Sequence, residues 1–156
     1  MKKLFKAQQK QQGFTFLESL LALFILSIGL LGVAGMHAQA MKTGYVATQN
    51  MSVVLKGEEL IERMRANPVG LADYAGAAAS YGCTSGSTCL PAQMAADDLF
   101  IWQDDLNAIL PAPTIEVLVN TIPEDPAGDV REVTINIDWS TKNINYSYST
   151  VAEIWP

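Results

Sequence analysis

Three groups of residues in this 156-residue chain have the types and spacing to do chemistry. The first is Glu18, a carboxylate at the head of an apolar run; from Ser19 to Met41, 23 residues follow without a formal charge. A charge in an apolar helix costs about 2.5–3.5 kcal/mol at the centre of a bilayer and less near its edge. Glu18 therefore either rests at the interface or serves a function that keeps it there. The second group is Cys83 and Cys89, which enclose five small polar residues. In an exported domain such a pair is expected to form a disulfide, worth about 2 kcal/mol for so short a loop. Zinc needs about four ligands, and the chain offers only these two thiols and the distant His37, which is expected to be an interfacial residue. The third group is the adjacent aspartates Asp97-Asp98 and Asp104-Asp105. They suggest acid–base chemistry or calcium, but sequence neighbours do not face each other on a helix, and EF-hand spacing is absent. A helix cap and a solvated face are the expected roles. With no Ser/His/Asp grouping, metal cluster or phosphate loop, the sequence predicts no catalytic residue, no metal site and no cofactor.

These groups need elements to place them. At 1.5 Å per residue the uncharged run spans about 34 Å of helix, enough to cross a bilayer. Lys2, Lys3, Lys6 and Lys10 precede it, so the positive-inside bias places the N-terminus in the cytoplasm and residues 42–156 outside. A small-residue site, Ala38-Gln39-Ala40, would release a soluble periplasmic domain if the run were a secretory signal. The run is long for that purpose and contains Glu18. Gly29, Gly32 and Gly35 follow a GxxGxxG spacing that is no dinucleotide fingerprint. They allow either close helix packing or a soft region that unwinds.

Residues 42–66 hold no proline, and Val46, Val53, Leu60 and Met64 can share one face, opposite Lys56, Glu58, Glu59, Glu62 and Arg63. The helix should stop near Asn67-Pro68, because proline disfavours helix in the residue before it. Residues 69–96 read as loop. Asp97 or Asp98 is expected to cap a second helix through about Leu110, with Leu99, Trp102, Leu106 and Ile109 on its apolar face and Pro111 and Pro113 beyond its end. Three strands follow, with Ile115/Val117/Val119, Val133/Ile135/Ile137/Trp139 and Ile144/Tyr146/Tyr148 alternating with polar residues. Period two with one polar face predicts a half-buried antiparallel sheet. Its connections are a turn-rich Pro123–Asp129 and a short hairpin at Ser140–Asn143. The outer half of the long helix is the available stripe for the sheet, and the tyrosines and Trp155 are expected in the core.

Composition sets the class. Hydrophobic residues make up 49% and charged ones 17%, which excludes a wholly disordered chain. Net charge is −6, but residues 14–156 alone hold 16 acids against 6 bases. A basic head on an acidic body suits an exported domain and argues against nucleic acid as a partner.

Gly13-Phe14-Thr15-Phe16-Leu17-Glu18 after a short basic leader resembles the cleavage and methylation motif of type IV prepilins. The resemblance implies that a prepilin peptidase cuts after Gly13 on the cytoplasmic side, that the new N-terminal Phe14 is N-methylated, and that Glu18 is needed for assembly. Phe14 and Glu18 then lie four residues apart on one helical face. The Phe14 amine could meet Glu18 of another subunit, or of its own chain, so that neither charge is left bare in hydrocarbon. Major pilins often carry proline at the position matching Gly35. More loosely, Met64–Pro68, Asp98 to Trp102 and Asp138-Trp139 are similar to minor pilins of the PilV kind.

The expected fold is therefore α+β and pilin-like: a long N-terminal helix, half transmembrane and about 80 Å if continuous, packed on a small antiparallel sheet. The expected divisions are a cytoplasmic leader (1–13), a transmembrane and assembly helix (14–41), its outer half (42–68) and a periplasmic α+β head (69–156). The expected role is a structural, non-enzymatic one: a minor pilin that enters the pilus helical bundle and helps initiate the fibre. Its partners would be other pilins, prepilin peptidase and the inner membrane. A pseudopilin of type II secretion, or a soluble binding domain released after Ala40, are the alternatives.

Overall fold

The computed structural model describes residues 14–84, 88–122, 130–141 and 143–155. The basic leader with Gly13, the connection Pro123–Asp129 and Lys142 lie outside the described residues. Six elements follow in order: helix α1 (Phe16–Ala66), a 3-10 helix (Pro68–Ala75), helix α2 (Pro91–Ile109), and strands β1 (Thr114–Thr121), β2 (Arg131–Thr141) and β3 (Ile144–Ile154). The chain divides into two compact units, at Tyr45 and Val46. The architecture is α+β: a long apolar N-terminal helix followed by a three-stranded antiparallel sheet.

Among the described residues, the first unit comprises Phe14, Thr15 and α1 as far as Tyr45. Its large hydrophobic side chains, Phe16, Leu20, Leu23, Phe24 and Leu31 among them, are all exposed. This stretch is long and apolar enough to cross a membrane. The helix runs unbroken through Gly29, Gly32 and Gly35, and a methyl group added at any of the three would meet nothing within 4 Å.

The second unit has a core. On α1 the buried stripe is Val53, Gly57, Leu60, Ile61 and Met64, spaced by three and four residues, while Val46 is only half buried. The helix ends where Pro68 forbids its continuation. Asn67 then opens the 3-10 helix: its Oδ1 accepts from the Gly70 N–H at 3.2 Å, and its Nδ2 donates to the Pro91 carbonyl at 2.9 Å. Gly70 is required here, because a Cβ would lie 2.5 Å from the Pro91 oxygen.

Residues 69–96 are thus not a plain loop, and α2 does not start at Asp97 or Asp98. It starts at Pro91, whose fixed φ and missing N–H suit the first helical position. The Leu90 N–H donates to Gln93 Oε1 at 3.0 Å, satisfying a donor just ahead of the helix. Leu99, Trp102 and Leu106 are buried on its inner face, and Ile109 is half buried.

The sheet has the order β1-β2-β3, each strand antiparallel to the next. Ile115 faces Ile137, Val117 faces Ile135 and Val119 faces Val133. Trp139 stacks on Tyr146 at 5.5 Å between ring centroids, and Ile137 faces Tyr148. The β2–β3 hairpin closes from Thr141 to Ile144, with Asn143 at φ 64°, a left-handed conformation asparagine tolerates. On the outer face Ser149 Oγ donates to Asn136 Oδ1 at 2.7 Å, and Asn136 Nδ2 donates to Glu116 Oε2 at 3.0 Å. The inner face packs on α1: a Cβ at Gly57 would lie 2.8 Å from the Tyr148 hydroxyl. Trp155 corrects an expectation. It is 71% exposed: β3 ends at Ile154, which is buried, and the strand's alternation carried one residue further turns Trp155 outward.

Candidate functional site

Two arrangements of chemically capable side chains stand out, one in each unit. In the first unit, Phe14 and Thr15 precede α1, and Glu18 sits in its first turn. The Glu18 N–H donates to the Thr15 carbonyl at 3.0 Å and reaches Thr15 Oγ1 at 3.4 Å. Thr15 is thus the N-terminal cap, three residues before a glutamate, which is the capping-box spacing. Phe14 and Glu18 are both exposed. Among the described residues of the first unit Glu18 is the one carboxylate, set at the start of an apolar helix whose N-terminal dipole end favours negative charge. Sequence reasoning passed over Thr15, although the T-x-x-E spacing was its signal.

In the second unit Asp97 and Asp98 do not cap α2, and of the pair Asp104-Asp105 it is Asp104 that keeps an exposed position, while Asp105 is half buried. Asp105 Oδ2 accepts from Lys56 Nζ at 2.6 Å, and Lys56 also binds Glu59 at 2.7 Å. Arg63 bridges Glu59 at 2.7 Å and Asp98 at 2.8 Å. The second Asp98 oxygen accepts from the Tyr74 hydroxyl at 2.7 Å. Trp102 Nε1 donates to the Lys56 carbonyl at 2.7 Å. This network fastens α2 and the 3-10 helix to α1. It holds Lys56 above its usual pKa through its bonds to Asp105 and Glu59, and Glu59 below its own through Lys56. Burial, and then the bond to Asp98, push Tyr74 well above the usual phenol range.

Asp97 is buried and holds the backbone that leads into Cys83. Its Oδ1 accepts from the Tyr81 N–H at 2.6 Å and the Gly82 N–H at 2.9 Å, and its Oδ2 from the Cys83 N–H at 3.0 Å. The Tyr81 bond, and after it the other two, hold its carboxyl below the usual range. Cys83 is disulfide-bonded to Cys89, with 5.9 Å between their Cα atoms. No sequence signal pointed to this role for Asp97, since its partners lie 14–16 residues upstream.

No group of three metal-ligating side chains occurs among the described residues. An open cleft of about 440 Å³ at the hairpin end of the sheet is lined by Asp138, Trp139, Ser140, Asn145 and Tyr146 among others, with no histidine or cysteine to pair with Asp138. His37 is exposed on α1. Phe14 and Glu18 lie together in the first unit, and the disulfide lies in the second.

Comparison with known families finds the prokaryotic N-terminal methylation motif over residues 8–34. That span covers the end of the basic leader, Gly13 to Glu18 and about the first two thirds of the apolar run. No curated protein and no solved structure matches the chain. The motif, with the long apolar helix and the small antiparallel sheet, supports a type IV pilin-like or pseudopilin-like structural protein.

Proposed function

We propose that this chain is a minor type IV pilin that enters the pilus through α1 and helps to initiate the fibre. The observation that carries the reading is the coincidence of the methylation motif with an apolar, exposed helix bearing Glu18 in its first turn. Prepilin peptidase would cut after Gly13, and Phe14 would be N-methylated. The leader stays cytoplasmic, the apolar helix anchors the chain in the inner membrane, and the acidic head faces the periplasm until the subunit enters a pilus. There α1 lies among the helices of neighbouring pilins, and Glu18 compensates the Phe14 amine of an adjacent subunit, a pairing that fixes register. The protein is structural and has no catalytic role. Retention of the helix is supported by Ala38-Gln39-Ala40 lying inside α1, where Thr43 Oγ1 donates to the Gln39 carbonyl at 3.1 Å.

The test is the mature N-terminus, read by mass spectrometry of protein from membranes. N-methylated Phe14 is the expected result. A chain starting at Met41 means a released soluble domain and overturns the proposal. Deleting the gene should abolish pili and leave protein secretion intact; loss of secretion with pili retained assigns the chain to a secretion pseudopilus instead.

A further inference from the structure

We infer that Asp97 is the positioning residue for the Cys83–Cys89 disulfide: its carboxylate seats the Cys83 side of the bond on α2 before the bond forms. The inference is independent of any role in a pilus. A buried carboxylate must satisfy its oxygens, and this one does so with three successive backbone N–H groups, Tyr81, Gly82 and Cys83. Gly82 adopts φ 65°, the left-handed conformation that lets consecutive N–H groups converge on one anion. A second tie, from the Ala79 N–H to the Ala96 carbonyl at 3.0 Å, holds the same segment to the same helix. Cys89 lies two residues before Pro91, where α2 begins. The Cys83 side is thus held to α2 by hydrogen bonds that do not involve sulfur, and the Cys89 side is tied to the same helix by the chain itself.

Thiols held so behave as an intramolecular pair of high effective concentration. Oxidation by glutathione disulfide runs in two exchanges. One cysteine thiolate attacks the disulfide, forming a mixed disulfide and expelling a glutathione thiolate. The other cysteine thiolate attacks the protein sulfur of that mixed disulfide, forming the Cys83–Cys89 bond and expelling the second glutathione. The protein pair loses two electrons, glutathione disulfide gains them, and the two thiol protons end on the two glutathiones. Asp97 acts on the second exchange, because only there must one cysteine find the other.

The test uses the full-length protein in detergent micelles, equilibrated in glutathione redox buffers, with free thiols trapped by alkylation and counted by mass. Asp97→Asn, of the same shape but without charge, should lower the equilibrium constant for oxidation about 10-fold or more, since hydrogen bonds to a charged acceptor are roughly twice as strong as neutral ones. An unchanged constant overturns the inference. A second measurement stands even if that variant unfolds. In the double variant Cys83→Ser and Cys89→Ser, the amides of positions 81–83 should remain protected from hydrogen exchange, because Asp97 holds them without the disulfide. Exchange at the rate of an open chain there means that the bond seats the loop and Asp97 does not, and this too overturns the inference.

Discussion

Replacing Gly57 with alanine sets two known effects against each other at one atom. In a helix interior alanine is better than glycine by about 1 kcal/mol. At Gly57, however, the added Cβ would lie 2.8 Å from the Tyr148 hydroxyl, 2.9 Å from its Cε1 and 3.2 Å from its Cζ. Ordinary carbon contacts are about 3.5–4.0 Å, so the ring must retreat by roughly 0.7 Å. Tyr148 is half buried on β3, opposite Ile137, and a shift there disturbs the inner face of the sheet. Overpacking of this kind costs about 1–3 kcal/mol. The expected net result is a loss of about 1 kcal/mol. Urea unfolding, followed by the fluorescence of buried Trp102, should show the midpoint lowered by about 0.5–1 M. The two effects separate in a Tyr148→Ala background. There the obstacle is gone, and Gly57→Ala should stabilise by about 1 kcal/mol, so the cycle yields a coupling of about 2 kcal/mol. Stabilisation by Gly57→Ala in both backgrounds would refute the close approach of α1 and β3.

Trp102→Phe should cost about 2 kcal/mol, from the lost bond to the Lys56 carbonyl and the void left by the smaller ring, read from the same urea curves. Stability should also depend on pH at both ends. The depressed carboxyls of Asp97 and Glu59 contribute stability that is present above their unfolded values near pH 4 and is lost as pH falls through their folded values. Tyr74 and Lys56, both raised, contribute stability that is present below about pH 10 and lost as pH rises through their folded values; thermal melts from pH 2 to 11 should therefore trace a plateau with two falling edges. Glu18→Ala should leave cleavage, membrane insertion and folding intact while the protein fails to enter the fibre, and normal piliation in that variant would remove the register role of Glu18.

The parts of the fold that repeat locally were legible. Alternation at Val133, Ile135, Ile137 and Trp139 predicted which side of β2 is buried, and Pro68 predicted the end of α1. The same parity places Trp155 outside, because Ile154 is inside; only the general preference of tryptophan for cores obscured it. The start of α2 was missed because Leu90 carries no capping side chain, which left Pro91 and Gln93 as its markers. Asp97, Asp98 and Asp105 were misread for a different reason. Their partners Lys56, Arg63 and the amides of residues 81–83 lie 14–49 positions away, and no local rule relates them. At the N-terminus the motif was legible as a whole, while Thr15 was overlooked within it.

The order of strands in the sheet repeats their order along the chain, and this bears on the route by which the head forms. Each strand pairs with its immediate successor, so both pairings close comparatively short loops. The packing of Gly57 against Tyr148 is the opposite case, since it joins the first element to the last. Until β3 has paired, the stripe from Val53 to Met64 has only part of its cover. That interval is when the head is most open to sticking to other chains. A β3 that docks slowly therefore leaves this stripe open to association for longer.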